Sequence, residues 1–189
     1  AGGKYGYLRT SVSHNEAGNY KDGDGNRIHS SFERRNQMLQ LGLTPTENTL
    51  LTGTYERSRG EAAYADRMMD GSKFDRDAWN VRFVQRNIAP WFTELELRYG
   101  QSKIDHVMDT YSLRYLRMMG NQVKKAMNPK RETDTGHLKA TFDWADINLQ
   151  TGIDYMRDKH LARMEMRGEG YTHKPYQPQQ NFTQWGGFA

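Results

Sequence analysis

The chain has no cysteine, which excludes disulfides and leaves its redox compartment undetermined. It has no apolar run near the roughly 20 residues that a membrane helix needs, and only 35% of its 189 residues are apolar. Helical spans are therefore excluded. A membrane barrel is not, because barrel strands are apolar at only every second position. No block of like charge is present; the formal charge of +4 is spread along the chain and does not signal nucleic acid. A catalytic set is missing too. There is no cysteine nucleophile and no zinc-hydrolase His pair, and the acidic residues are too scattered for a carboxylate dyad, so an enzyme is not expected. The opening AGGKYGYLRT lacks the basic and apolar regions of a signal peptide. It reads as a strand already in progress, and the closing FTQWGGFA as a strand cut short. The chain thus reads as a piece of a longer polypeptide.

What is present is alternation. In WFTELELRYGQSKIDHVM, Thr93, Leu95, Leu97 and Tyr99 share one parity and Glu94, Glu96 and Arg98 the other. A period of two is a strand with one greasy and one charged face. The charged parity continues through Gly100, Ser102 and Ile104 to His106 and Met108. The same pattern predicts strands over residues 5–14, 32–43, 49–58, 74–86, 133–144 and 149–157, with a last one beginning near Asn181. The Asp-Gly pairs of residues 15–28 (NEAGNYKDGDGNRI) read as turn chemistry. A calcium loop is disfavoured there, because the EF-hand spacing and its distal glutamate are missing. Residues 109–131 include YSLRYLRMMGNQVKKAM, a candidate short amphipathic helix with Leu113, Leu116 and Met119 on its apolar side.

Short connections (44–48, 87–90, 145–148) alternate with long ones (15–28, 59–73, 109–131, and 158 to about 180). This is the asymmetry of an outer-membrane barrel, with tight periplasmic turns and long extracellular loops. A soluble β-sandwich, the alternative, has no reason to gather its long loops at one end. Tyr55, Trp79, Tyr99 and Tyr155 then fall near the long-loop end, and Trp91, Phe92 and Trp144 near the short-turn end. Two such bands match interfacial girdles. Glu94, Glu96, Arg98, Arg82, Arg86, Lys139 and Asp143 would be costly in a dry core but suit a wet or plugged lumen. The expected fold is all-β: an antiparallel up-and-down transmembrane β-barrel segment of seven or eight strands, an arc of a larger barrel.

Methionine is unevenly placed. Met38 and Met156 fall on polar parities, while Met68, Met69, Met108, Met118, Met119, Met127, Met164 and Met166 gather at the long-loop end. Thioethers are soft and select Cu(I), and imidazole binds copper in either oxidation state. His106 and Met108 point the same way, and Met69 arrives from the neighbouring hairpin. A second candidate is HLARMEM, with His160, Met164 and Met166. Against both stands plain packing, which methionines in loops also serve.

The long strands, short turns and lumen charges resemble TonB-dependent outer-membrane receptors of Gram-negative bacteria. Within them, YADRMMDGSKFDRDAWNVRF (residues 64–83) and IDHVMDTYSLR (residues 104–114) resemble the copper-receptor branch, the OprC and NosA type. The resemblance extends over the whole chain, as an N-proximal part of the barrel. It implies a barrel of twenty-two strands with a separate plug domain that is absent from this sequence. It implies localisation in the outer membrane among lipid and lipopolysaccharide, and transport driven by TonB with its inner-membrane partners. It also implies a copper site, with Cu(I) favoured over Cu(II). Met69 and Met108 would be the barrel thioethers, His106 a ligand or near neighbour, and the plug would supply further sulfur. The other functional readings are a passive porin-like channel, or another siderophore or metal receptor barrel without a copper site.

Overall fold

The computed structural model describes residues 1–114 and 124–189. They form one antiparallel sheet of nine strands in chain order. The strands are β1 (Gly2–Gly3), β2 (Gly6–Ala17), β3 (Phe32–Thr46), β4 (Thr49–Ala62), β5 (Asp70–Ala89), β6 (Phe92–Asp109), β7 (Ala126–Trp144), β8 (Ile147–Glu165) and β9 (Gln177–Phe188). Every strand pairs with its neighbours in sequence, an up-and-down meander whose ends stay apart. Turns at 4–5, 47–48, 90–91 and 145–146 lie at one end, and residues 18–31, 63–69, 110–114, 124–125 and 166–176 at the other. The alternation of short and long connections is therefore real.

Two expectations are corrected. The opening residues are not one strand: β1 turns back on β2, with Gly3 opposite Gly6. Gly2, Gly3 and Gly6 carry no side chains, so alternation could not reveal the turn. Most strands also run further into the long-loop end than expected; β7 starts at Ala126 rather than Thr133, and β8 ends at Glu165 rather than Arg157. There the residues are polar on both parities, which reads as loop. Cross-strand ion pairs hold them as sheet instead: Lys73 Nζ lies 2.7 Å from Asp105, and Arg59 lies 2.6 Å from Asp77. The C-terminal end of the expected helix, Ala126 and Met127, is strand. Its Leu116 and Met119 lie outside the described residues.

The sheet is a single layer with two unlike faces. On one, Leu41, Leu51, Trp79, Val81, Leu97, Tyr99, Leu138 and Ile153 are all exposed. The buried apolar side chains among the described residues are few and mostly small: Ala63, Ala78, Val84, Val107 and Ala126. So many exposed apolar groups on one face require a cover in water. Near the long-loop end this face carries Trp79 against Tyr99, with ring centroids 5.4 Å apart, and Tyr155 against Trp185, 4.7 Å apart. At the short-turn end Trp91, Phe92, Phe142 and Trp144 stack across the tips of two hairpins. Both expected aromatic bands are present.

The other face is charged, and its charges are paired. Glu96, 2% exposed, accepts from Arg82 Nε at 2.8 Å and from Arg98, with Lys139 at 3.9 Å. Asp158 accepts from Arg131 Nε at 2.9 Å and from Thr133 Oγ1 at 2.8 Å. Pairing of this kind lets ionised groups sit at low exposure without being left unsatisfied.

Candidate metal centre

The three residues singled out by sequence lie toward the long-loop ends of β5 and β6. His106 and Met108 sit two apart on β6, hence on one face, which is the charged one. Across from them on β5, Phe74 is the partner of His106 and Gly71 the partner of Met108. The register shifts between Gly71 and Lys73, leaving Ser72 as an extra residue, a β-bulge. The bulge brings Gly71, rather than Ser72, opposite Met108. A side chain at Gly71 would have its Cβ 2.0 Å from the Phe74 ring, so only glycine fits there. Met69 lies two residues beyond Gly71, half-buried in the β4–β5 loop and one residue outside β5.

The His106 ring lies on the Phe74 ring, with centroids 4.4 Å apart. Its Nε2 is buried and has no hydrogen-bond partner. Such an orphaned ring nitrogen is costly unless something binds it, and neutral imidazole is a common metal ligand. The ring borders a pocket of about 690 Å³ together with Tyr64, Phe74, Arg76 and Ile104. The described residues contain no cluster of three or more histidines and carboxylates able to hold a metal.

Two buried carboxylates, directly opposite each other, fix this rim. Asp70 accepts from Arg114 Nε at 2.8 Å and from the Tyr64 amide at 2.9 Å, and its Oδ2 lies 2.8 Å from His29 Nε2. Arg114 also donates to the carbonyls of Arg67 (2.8 Å) and Tyr64 (3.0 Å). Asp70 hydrogen-bonds it and holds its guanidinium pKa above the ordinary value. Three loops are thereby tied together next to Met69. Asp109 accepts the amides of Tyr111 (2.9 Å) and Ser112 (2.7 Å) and the Ser72 hydroxyl (2.6 Å), closing the base of the next loop. Burial, then the Asp109 charge, pushes the Tyr111 hydroxyl above its usual pKa.

No protein-family model and no curated protein matches the chain. Among solved structures it matches the copper transporter OprC, with a TM-score of 0.88 and 35% identity over 98% of this chain. The sheet matches a barrel segment of OprC. The chain spans about 30% of the length of that OprC chain.

The alternative cluster in HLARMEM does not assemble. His160 is 3.1 Å from Asp158 and opposite Arg131. Four residues separate it from Met164, roughly 13 Å along a strand, and Met166 lies past the end of β8. The Asp-Gly stretch is a turn: Asp22 Oδ1 accepts the amides of Asp24 (3.0 Å) and Asn26 (2.8 Å). Sequence reading missed Asp70, Arg114 and His29. Asp70 hid inside an Asp-Gly pair that resembles ordinary turn chemistry, and nothing in its spacing points 44 residues on to Arg114.

Proposed function

We propose that the chain is part of an outer-membrane transporter that takes up copper, bound by the thioethers of Met69 and Met108 with His106 beside them. The observation that carries this reading is the buried His106 Nε2 without a hydrogen-bond partner, on the same face of β6 as Met108 and near the loop that bears Met69. The likeness to a copper transporter over 98% of the chain supports it. Thioethers favour Cu(I) over hard ions. They carry no proton to lose, whereas an imidazole contribution weakens as the ring protonates. A plug domain outside this sequence would complete the ligand set, and TonB with its inner-membrane partners would drive release. The exposed apolar face with its two aromatic bands would face lipid and lipopolysaccharide, and the charged face the lumen.

The test is copper content by mass spectrometry after loading the complete receptor. A Met69→Ala, Met108→Ala double variant is expected to lose the bound ion. Full occupancy in that variant would sink the assignment.

A further inference from the structure

On the lumen face Arg76, Arg82, Arg131 and Lys139 each pair with a carboxylate. The apolar face, just past its long-loop aromatic band, carries cations that do not. Cross-strand partners there form two successive rungs. The first runs Tyr55, Trp79, Gln101, Asp134 and Arg157, and the next Arg57, Asp77, Lys103, Glu132 and Lys159. Same-face neighbours on a strand are two residues, about 7 Å, apart. The second rung therefore stands one such step beyond the Tyr55 and Trp79 rings. Lys130 follows on β7, two residues from Glu132 and on the same face.

Most carboxylates of this band are already engaged. Asp77 accepts from Arg59 at 2.6 Å and from the Tyr55 hydroxyl at 2.9 Å, and Asp134 accepts from Gln101 at 2.8 Å. Asp75 lies 3.3 Å from Arg59. Asp105 accepts from Lys73 at 2.7 Å and from Asn128 at 2.6 Å. Asn128, 1% exposed, also donates to the His106 carbonyl at 2.9 Å. Its Oδ1 accepts from Arg163 at 2.8 Å and from the Tyr176 hydroxyl at 2.6 Å, which closes the loop-side border of the band. Among the described residues of the band, the cations without an ion pair are Arg57, Lys103, Lys130, Arg157 and Lys159, against Glu132 alone. Lys130 is steadied over the Tyr176 ring, 4.7 Å from its centroid. Lys103 and Lys130 border a cleft of about 270 Å³. Arg57, Lys103 and Lys159 sit on alternate strands, about 10 Å from one to the next.

We propose that this band binds the headgroup phosphates of lipopolysaccharide, with Lys103, Arg157 and Lys159 as the principal contacts and Arg57 and Lys130 at the flanks. The proposal rests on the reading of the apolar face as the one that meets the membrane. Acyl chains would lie against that face, and the phosphates of the same molecule would reach the cations just past the aromatic rings. Ammonium and guanidinium groups are the usual partners of phosphate, and a basic group beside a membrane-embedded surface favours anionic lipid. A surplus of unpaired cations at this height complements a phosphorylated headgroup. A neutral one would leave them unused.

The experiment offers the complete receptor, in detergent, lipid A bearing its phosphates or the same lipid dephosphorylated, and reads retained lipid by native mass spectrometry. The phosphorylated form is expected to be retained about tenfold better, on the scale of a few basic groups near an anionic headgroup. A Lys103→Gln, Arg157→Gln, Lys159→Gln variant is expected to lose that preference. A Lys103→Arg, Arg157→Lys, Lys159→Arg variant, which keeps the charges, is expected to retain it. Equal retention of the two lipids by the unaltered receptor, or an undiminished preference in the glutamine variant, overturns the proposal and leaves the membrane reading standing. Displacement of the lipid by an equal concentration of inorganic phosphate overturns the glycolipid in favour of a plain anion site. A receptor that retains neither lipid and stays monodisperse without detergent overturns both readings.

Discussion

At the short-turn end, Trp91, Phe92, Phe142 and Trp144 lie ring against ring across neighbouring hairpin tips. At the long-loop end, Asp70, Asp109 and Asn128 gather strands and loops through hydrogen bonds from almost fully buried positions. The first end is held by contacts that tolerate small shifts, since stacked rings slide. The second is held by directional bonds, each of which fixes the position of its partner. A site that must keep soft ligands in place is better built on the second kind of support.

Removing Asp70 should break this contrast most severely. Asp70→Ala leaves Arg114 and His29 without their carboxylate, and loss of one partner of a buried pair costs about 3 kcal/mol. Hydrogen exchange in loops 63–69 and 110–114 should rise together, with weaker copper binding. Protection unchanged in both loops would mean that Asp70 does not tie them. Asn128→Ala should come next, at about 2 kcal/mol, because it strands the partners of a fully bonded amide. Urea unfolding of the receptor in detergent, with exchange measured along β6 to β8, would read the loss. Trp91→Ala should cost about 1 kcal/mol, the scale of a stacked aromatic pair, and leave copper occupancy untouched. A fall in occupancy would show that the two ends are coupled. The smallest effect concerns Asp22, whose pKa is lowered chiefly by the Asn26 amide. A carboxyl with a depressed folded value helps order its loop above the ordinary carboxylate range, and loses that contribution as pH falls through the lower value. The Asn26 amide shift in an acid titration should follow that course, while the stacked end stays unchanged.

The same contrast explains what sequence could show. Alternation made β6 legible from Thr93 to Tyr99, because one face of that stretch is apolar and the other charged, and carrying that parity forward reached His106 and Met108. It placed Met69, Met108 and His106 at one rim from parity and hairpin order alone. It failed where both parities are polar, as around Arg59, Lys73 and Arg131, and where glycines carry no signal, as at Gly2 and Gly3. It could not show that Met127 and Met164 share a rung with Met108. Parity says which face a residue takes, but not which residue it meets on the next strand. That depends on loop lengths and on the register shift between Phe92 and Glu94 where β6 pairs with β7, neither of which has a periodic signature.

Ser72 acts as a phase adjuster for everything above it on β5. Between Ser58 and Ala62 of β4 the opposite stretch of β5 is one residue longer, so the offset is felt on both flanks of the strand. If the bulge closed up with Ser72 retained, regular pairing beyond Lys73 and Val107 would bring Ser72 opposite Met108. Its side chain would then stand where there is now none, and Gly71 would take the place of Asp70 opposite Asp109, so that the loop knot would lose its central acceptor. The length of this strand, as much as its composition, is what lets the rim present sulfur.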